Sequence, residues 1–310
     1  TVLGQTYYID LARRILILSI AAVSLNLILG YGGLVSFGHA AYLGVGAYSV
    51  GIAAFYGVAS GWLQWPLAVG ASALVALAIG AVSIRTSGIY FIMITLAFTQ
   101  MLYYLGISLA EFGGDDGMRL KARSQFPGLI DLGDPVAFYY LALALTMFSV
   151  FLVYRIVNSR FGMVLRAAKS NDARTRAIGF SPYPYRLAAF VIAGAMCGLA
   201  GALYANHTNY ITPGLMSWQQ SGDLMFMVIL GGMASTAGPV LGTFALYFVA
   251  ACPFSGGNGR MAHLLLQRLL IRAGYDFIPY ASLERILEEQ REEYFNAIDA
   301  AETRLWTGEA

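Results

Sequence analysis

The chain has 310 residues, of which 58% are hydrophobic and only 12% charged, and its mean hydropathy is +0.64. Soluble domains carry roughly 45–50% apolar and about 25% charged residues, so this composition excludes a soluble protein over most of the length and describes an integral membrane protein. Charge is unevenly placed, because residues 1–250 hold 13 Lys+Arg and 8 Asp+Glu whereas residues 251–310 hold 6 and 9, which sets the C-terminal segment apart as soluble and acidic.

The first residue is Thr1, with no initiator Met, basic leader region or A-x-A cleavage pattern, so no signal peptide is assigned and the topology at that end stays open. A membrane-crossing helix needs about 20 mostly apolar residues. By that criterion the sequence predicts about seven spans, near 13–30, 36–57, 63–84, 88–109, 135–157, 186–205 and 223–250. The expected fold class is therefore all-α, a polytopic transmembrane helical bundle with a short soluble helical tail. Two domains follow, a membrane domain over 1–250 and a helical segment over 251–310.

The last span is interrupted by Gly231-Gly232 and Gly238-Pro239. Either a kinked helix or a broken, re-entrant one fits those residues. Small residues recur in "GHAAYLGVGAYSVGIAAFYG" (38–57) and "AGAMCGLAGALYA" (193–205), including a G-x-x-x-G at Gly194 and Gly198. Such faces let helix backbones approach closely in lipid. They describe a bundle of any function.

Short loops rich in Lys and Arg lie on the cytoplasmic side. Residues 155–186 carry Arg155, Arg160, Arg166, Lys169, Arg174, Arg176 and Arg186 against the single acid Asp172, so this loop is expected to be cytoplasmic. Arg85 then falls inside and loop 110–134 outside. Arg13 and Arg14 fall on the wrong side of a strict seven-span count, which calls for a further upstream span or a re-entrant piece near 30–36.

Within the basic loop, Phe161, Val164, Leu165 and Ala168 recur at helical spacing, and Ser170 or Asn171 is placed to cap a second short helix ending at Gly179. That is a helix–turn–helix element on the cytoplasmic face; an ordinary basic loop drawn to anionic headgroups fits the composition equally well. Ionisable residues inside the apolar runs are few, namely His39, with Asp223 near a span end. Pumps and ion-coupled carriers place acids, lysines or histidines there. Their scarcity points to energy supplied by a partner. Gly38 and His39 are the candidates for a substrate path, with a helix-packing histidine as the competing reading, while Asn206, His207 and Asn209 sit at an outer helix end. Cys197 and Cys252 have no metal-ligand or disulfide spacing. No metal, cofactor or nucleic-acid partner is expected.

The ordered motifs "SLNLILGYGGLVSFGHAAYLGVGAYS" (24–49), "RTSGIYFIMITLAFTQMLYYL" (85–105), the loop 158–180, "AAFVIAGAMCGLAGALYA" and "VILGGMASTAGPVLG" resemble permease subunits of the branched-chain amino acid ABC importers, the LivM type, over about 10–248. The resemblance implies a non-enzymatic subunit of the bacterial inner membrane. Its partners would be a sister permease subunit, cytoplasmic ATP-binding subunits and a periplasmic substrate-binding protein. It also implies that 160–179 is a coupling helix contacting the ATPase, with Phe161, Gly162, Arg166, Lys169, Asp172, Ala173 and Gly179 as its characteristic residues. Relatives of that family carry urea and short amides, so the cargo stays open between those and branched-chain amino acids.

The tail resembles a second family. Cys252-Pro253-Phe254-Ser255-Gly256-Gly257-Asn258-Gly259-Arg260 and the leucine-rich and acidic helices expected after it are similar to the second half of Fic-domain AMP transferases, whose signature is H-P-F-x-(D/E)-G-N-G-R. In that family the histidine is the general base and the acid holds Mg²⁺; Cys252 and Gly256 stand at those positions here. A mostly protonated thiol is a poor base, so the tail is expected to be inactive. Gly257, Asn258, Gly259 and Arg260 would cradle a nucleotide phosphate if the tail binds one. Two incomplete resemblances meeting near 248–252 read as a join, natural or artificial. A membrane-tethered AMP transferase is the alternative function.

Overall fold

A computed structural model describes residues 2–120, 123–126 and 132–251, with side chains described between residues 8 and 247. The described chain is a helical bundle, as its composition requires. Contacts group Thr1–Tyr247 as one compact unit; nearly all of the second, Phe248–Ala310, lies outside the described residues.

Helix α1 (Val2–Asn26) continues through a π turn, Leu27–Tyr31. Its residues Ile17, Ile20, Ala21, Ala22 and Val23 are fully buried, and it is the most buried of the long apolar helices. Around it lie α2 (His39–Phe55), α3 (Gly61–Ser83), α4 (Ile89–Ser108), α5 (Pro135–Val157) and α8 (Pro182–Thr208). Two short amphipathic helices, α6 (Arg160–Ser170) and α7 (Asp172–Ala177), join α5 to α8, and α9 (Trp218–Gly231) with α10 (Gly238–Ala251) completes the described part. Loop 110–134 is tied to the end of α8 by a two-residue antiparallel pairing of Met118 with Ile211 and Arg119 with Tyr210.

On α3, α4 and α5 the outward faces are apolar, with Leu74, Leu77, Met93, Met101, Met147 and Phe148 exposed. Trp62, Tyr104 and Tyr140 stand near one end of these helices and Tyr90 and Tyr154 near the other. An apolar belt between aromatic girdles is the surface of a protein whose outer solvent is lipid.

The expected bundle of about seven spans, the last possibly broken, is built from helices of two lengths. Among the described residues, five helices are long and apolar enough to cross a membrane, and His39–Phe55 and Gly238–Tyr247 are shorter apolar helices. The second expected span is shorter than its apolar run, since α2 has 17 residues, or about 25 Å at ~1.5 Å per residue, less than the ~30 Å hydrocarbon core. Residues 33–36 have no regular structure although "LVSF" is apolar. Gly33 and Leu34 N–H reach back to the Leu29 and Ile28 carbonyls, Gly38 N–H donates to the nearby Ser36 Oγ at 3.2 Å, and the distant Thr99 Oγ1 donates to the Phe37 carbonyl at 3.3 Å. Non-helical backbone at membrane depth survives only where protein supplies such partners.

The last expected span is two antiparallel half-helices. Gly232 at φ +92° and Ala234 at φ +61° reverse the chain, and the halves touch through glycine, an added Cβ at Gly242 lying 1.9 Å from the Met227 carbonyl oxygen. Of the two readings open to the sequence, the broken helix is the observed one.

The π turn lies at the same end as α6, because Lys169 Nζ meets the Gly30 carbonyl, and α1 therefore runs toward the basic end. The piece at 30–36 turns there without changing that. Arg13 and Arg14 stay at the far end, where Arg13 pairs with Asp10 at 2.6 Å and lies over Phe138, and Arg14 lies over Tyr247. Asp10 offsets the charge of Arg13, and the Tyr247 ring receives that of Arg14.

Candidate coupling face and translocation core

The basic element folds as its caps dictate. Ser159 accepts from Gly162 N–H at the start of α6, and Asn171 ends α6 and accepts from Arg174 N–H at 2.9 Å to begin α7. Gly179 at φ +98° closes α7, with Phe180 N–H reaching back to the Thr175 carbonyl, the left-handed exit that glycine favours. Gly162 is forced by proximity: an added Cβ would stand 2.2 Å from the Val157 carbonyl oxygen.

One face of this pair is buried through Val164, Leu165 and Ala168. Arg166 donates to the Val157 carbonyl at the end of α5. Arg186 of α8 donates to the Ala168 carbonyl at 3.0 Å and pairs with Asp172 at 3.3 Å, which also binds Arg176 at 2.7 Å. The Phe161 ring lies 5.6 Å from Tyr185. Beyond those anchors a groove of about 590 Å³ opens, with Met163, Ile178 and Phe180 exposed along it beside Arg160. All seven coupling residues expected from sequence thus belong to one element. Ala173 is exposed on its outer side.

The second assembly surrounds the start of α2, and five helices send a side chain to it. His39 is fully buried, with Nε2 2.7 Å from Ser24 Oγ of α1. Cys197 of α8 donates its thiol to the His39 carbonyl at 3.4 Å, and Ser221 of α9 accepts from Ala40 N–H at 3.1 Å. Ser72 of α3 donates to the Tyr42 carbonyl at 3.1 Å, while Thr95 and Thr99 of α4 flank Gly38, where an added Cβ would sit 3.2–3.3 Å from them. Among the described residues, His39 Nδ1 and the Tyr42 hydroxyl have no hydrogen-bond partner, both on side chains with no exposure. Gly38 and His39 therefore mark where helical backbone begins inside the bundle, at the level of the middle of α3 and α8.

Sequence reasoning did not reach Ser24, Asn26, Ser72 or Ser221. Ser24 and Asn26 were visible as polar residues in "AAVSLNLILG", but their partners lie far along the chain. At the far end, Asn206 is buried and holds loop residue Ser124 by 2.8 and 3.0 Å bonds, and Asn209, at φ 54°, ends α8 and accepts from Arg123. These asparagines fasten a loop. The Fic-like motif Cys252–Arg260 lies outside the described residues.

Residues 7–273 match the family described as branched-chain amino acid transport system / permease component. The chain belongs to that family. The match continues past residue 248, through the segment carrying the Fic-like motif. Among relatives, the high-affinity branched-chain amino acid transport system permease protein LivM of Salmonella typhimurium strain LT2 is 28% identical over 261 residues, 77% of this chain and 61% of the relative. The protein of the same description from Escherichia coli K12 gives the same identity and coverage. A probable branched-chain amino acid transport permease protein LivM of Methanocaldococcus jannaschii is 26% identical over 269 residues, 74% of this chain and 76% of the relative. The chain thus spans about three fifths of the length of the two bacterial relatives. No solved structure matches it significantly. The permease family, the apolar belt and the long apolar helices make this a multi-pass membrane protein, and its relatives are transport permeases, not enzymes.

Proposed function

We propose that the chain is the permease subunit of an ABC importer in the bacterial inner membrane, moving branched-chain or chemically related small amino acids. It works beside a sister permease subunit. A periplasmic binding protein delivers cargo at the far end, and cytoplasmic ATP-binding subunits seat on the α6–α7 face. The observation that carries this reading is the match to the permease family over residues 7–273, and the character of α6–α7 supports it. An exposed apolar strip of Met163, Ile178 and Phe180 flanked by arginines has the apolar centre and charged rim of a protein interface, whereas headgroup attraction alone would not call for an apolar groove. The cargo route follows the start of α2, with Gly38 and His39 beside it, since unwound backbone inside a bundle marks transporter binding sites.

Co-expression with the sister permease and ATP-binding subunits tests the docking reading. Replacing 160–179 by a neutral flexible linker is expected to leave the two permeases associated and to remove the ATP-binding subunits from the purified complex. Retention of those subunits would contradict the assignment.

A further inference from the structure

Lys169, an exposed residue of α6, lies across the end of the π turn and donates from Nζ to the Gly30 carbonyl at 2.7 Å. Its aliphatic stem lies against Gly33, where an added Cβ would come within 2.8 Å of Lys169 Cγ. Both contacts fall on the π turn and its exit. Spacing is irregular there: Gly32 N–H bonds to the Leu27 carbonyl, Gly33 to Leu29 and Leu34 to Ile28.

The other side of the same turn grips the break between α9 and α10. The Asn26 side chain donates to the Ser235 carbonyl at 2.8 Å and accepts from Ala234 N–H at 3.0 Å, a two-point clamp on the loop backbone. Tyr31 hydroxyl and Thr236 Oγ1 meet at 3.4 Å. The fit leaves no room for a side chain at Gly30, where a Cβ would stand 2.1 Å from Asn26 Oδ1 and 2.5 Å from Ala234 N. Ala234 is held at φ +61°, a conformation that side-chain-bearing residues rarely adopt.

We infer that the π turn Leu27–Tyr31 transmits motion of α6 to both interrupted helices, with Lys169 and Asn26 as the positioning residues at its two ends. One arm leads from Gly30 through 32–38 to His39. The other leads through Asn26 to the α9–α10 turn. A π turn suits this task because its backbone bonds can pass to α spacing one residue at a time, leaving the helix before it intact. Breaks in two helices are then moved by one contact with the partner-facing element. The inference rests on the reading that α6–α7 docks the ATP-binding subunits.

The test uses the complete transporter in liposomes, with leucine uptake and ATP hydrolysis read in the same vesicles. Asn26→Ala is expected to assemble and hydrolyse ATP as the parent does, with uptake per ATP hydrolysed lowered about tenfold, within the usual range of coupling between sites. Lys169→Met, which keeps the stem on Gly33 and loses the ammonium, is expected to lower the same ratio to a similar degree, and Lys169→Arg to restore most of it. Because both residues act in one series, the double variant should be no worse than either single one. An unchanged ratio in either variant, multiplied losses in the double variant, or failure of Asn26→Ala to assemble would overturn the inference, the last because it would mark a residue needed only for folding. The docking reading fails separately, if the 160–179 replacement leaves coupled uptake intact. The present inference fails alone if that replacement abolishes uptake while Asn26→Ala and Lys169→Met keep the parent ratio.

Discussion

Gly201→Val is expected to lower the stability of the bundle strongly and to reduce the yield of assembled protein. An added Cβ there would lie 2.0 Å from the Leu43 carbonyl oxygen, 2.9 Å from its carbon and 3.0 Å from Ala47 N. All three are backbone atoms of α2, which cannot rotate aside as a side chain can. The same crossing is closed by Gly46, whose Cβ would stand 2.2 Å from the Gly198 carbonyl oxygen. Separating α2 from α8 also withdraws Cys197 from the His39 carbonyl. Overpacking in a close-packed interior costs about 1–3 kcal/mol, and against backbone with a bulky β-branched group the cost lies at or above the top of that range. Gly70 of α3 is the control, since nothing lies within 4 Å of its added Cβ, and Gly70→Ala should hold or gain about 0.5–1 kcal/mol from helix propensity. Thermal unfolding in detergent and the yield of monodisperse protein distinguish the two variants. Equal melting temperatures would contradict the packing described.

That contrast shows which features a sequence exposes. The G-x-x-x-G at 194 and 198 announced a close helix crossing, but which helix approached it, and that Gly201 is the tighter contact, depend on tertiary placement. The span 135–157 matches α5 to the residue because its N-cap Asp134, Pro135 and its basic end Arg155 are all local signals. The α6–α7 pair was legible for the same reason, through the helical spacing of Phe161, Val164, Leu165 and Ala168 and through Asn171 and Gly179. The start of α2 was not. Residues 36–38 lie within an apolar run and are not helical; Thr99, distant in sequence, donates to the Phe37 carbonyl, and Ser221 accepts from Ala40 N–H in the first turn of α2. Hydropathy reports burial and is silent on which backbone partner satisfies each group. His39 was legible as a residue and not as a junction, for Ser24 and Cys197 come from other helices.

Replacing His39 by alanine is expected to have the second large effect. The change removes a buried ring at the meeting point of α1, α2 and α8, leaves Ser24 Oγ without its 2.7 Å partner, and deprives Tyr42 of an edge contact at 5.7 Å between ring centres. Cavity formation and a lost buried hydrogen bond together amount to about 3–5 kcal/mol. Uptake is expected to fall further than stability, because the same junction begins the helix beside the proposed cargo route. His39→Gln, which keeps a group able to reach Ser24, should retain more of both. Parent-like melting and parent-like uptake in His39→Ala would show that the junction does not depend on this side chain.

The central claim is that this permease moves cargo with energy delivered by its partners. Its most direct test is uptake of radiolabelled leucine by liposomes holding the complete complex, with ATP enclosed and the binding protein outside. The account predicts uptake that requires ATP and the binding protein together, and that disappears when 160–179 is replaced by a neutral linker. Uptake without ATP, or uptake of the same rate after that replacement, would contradict it.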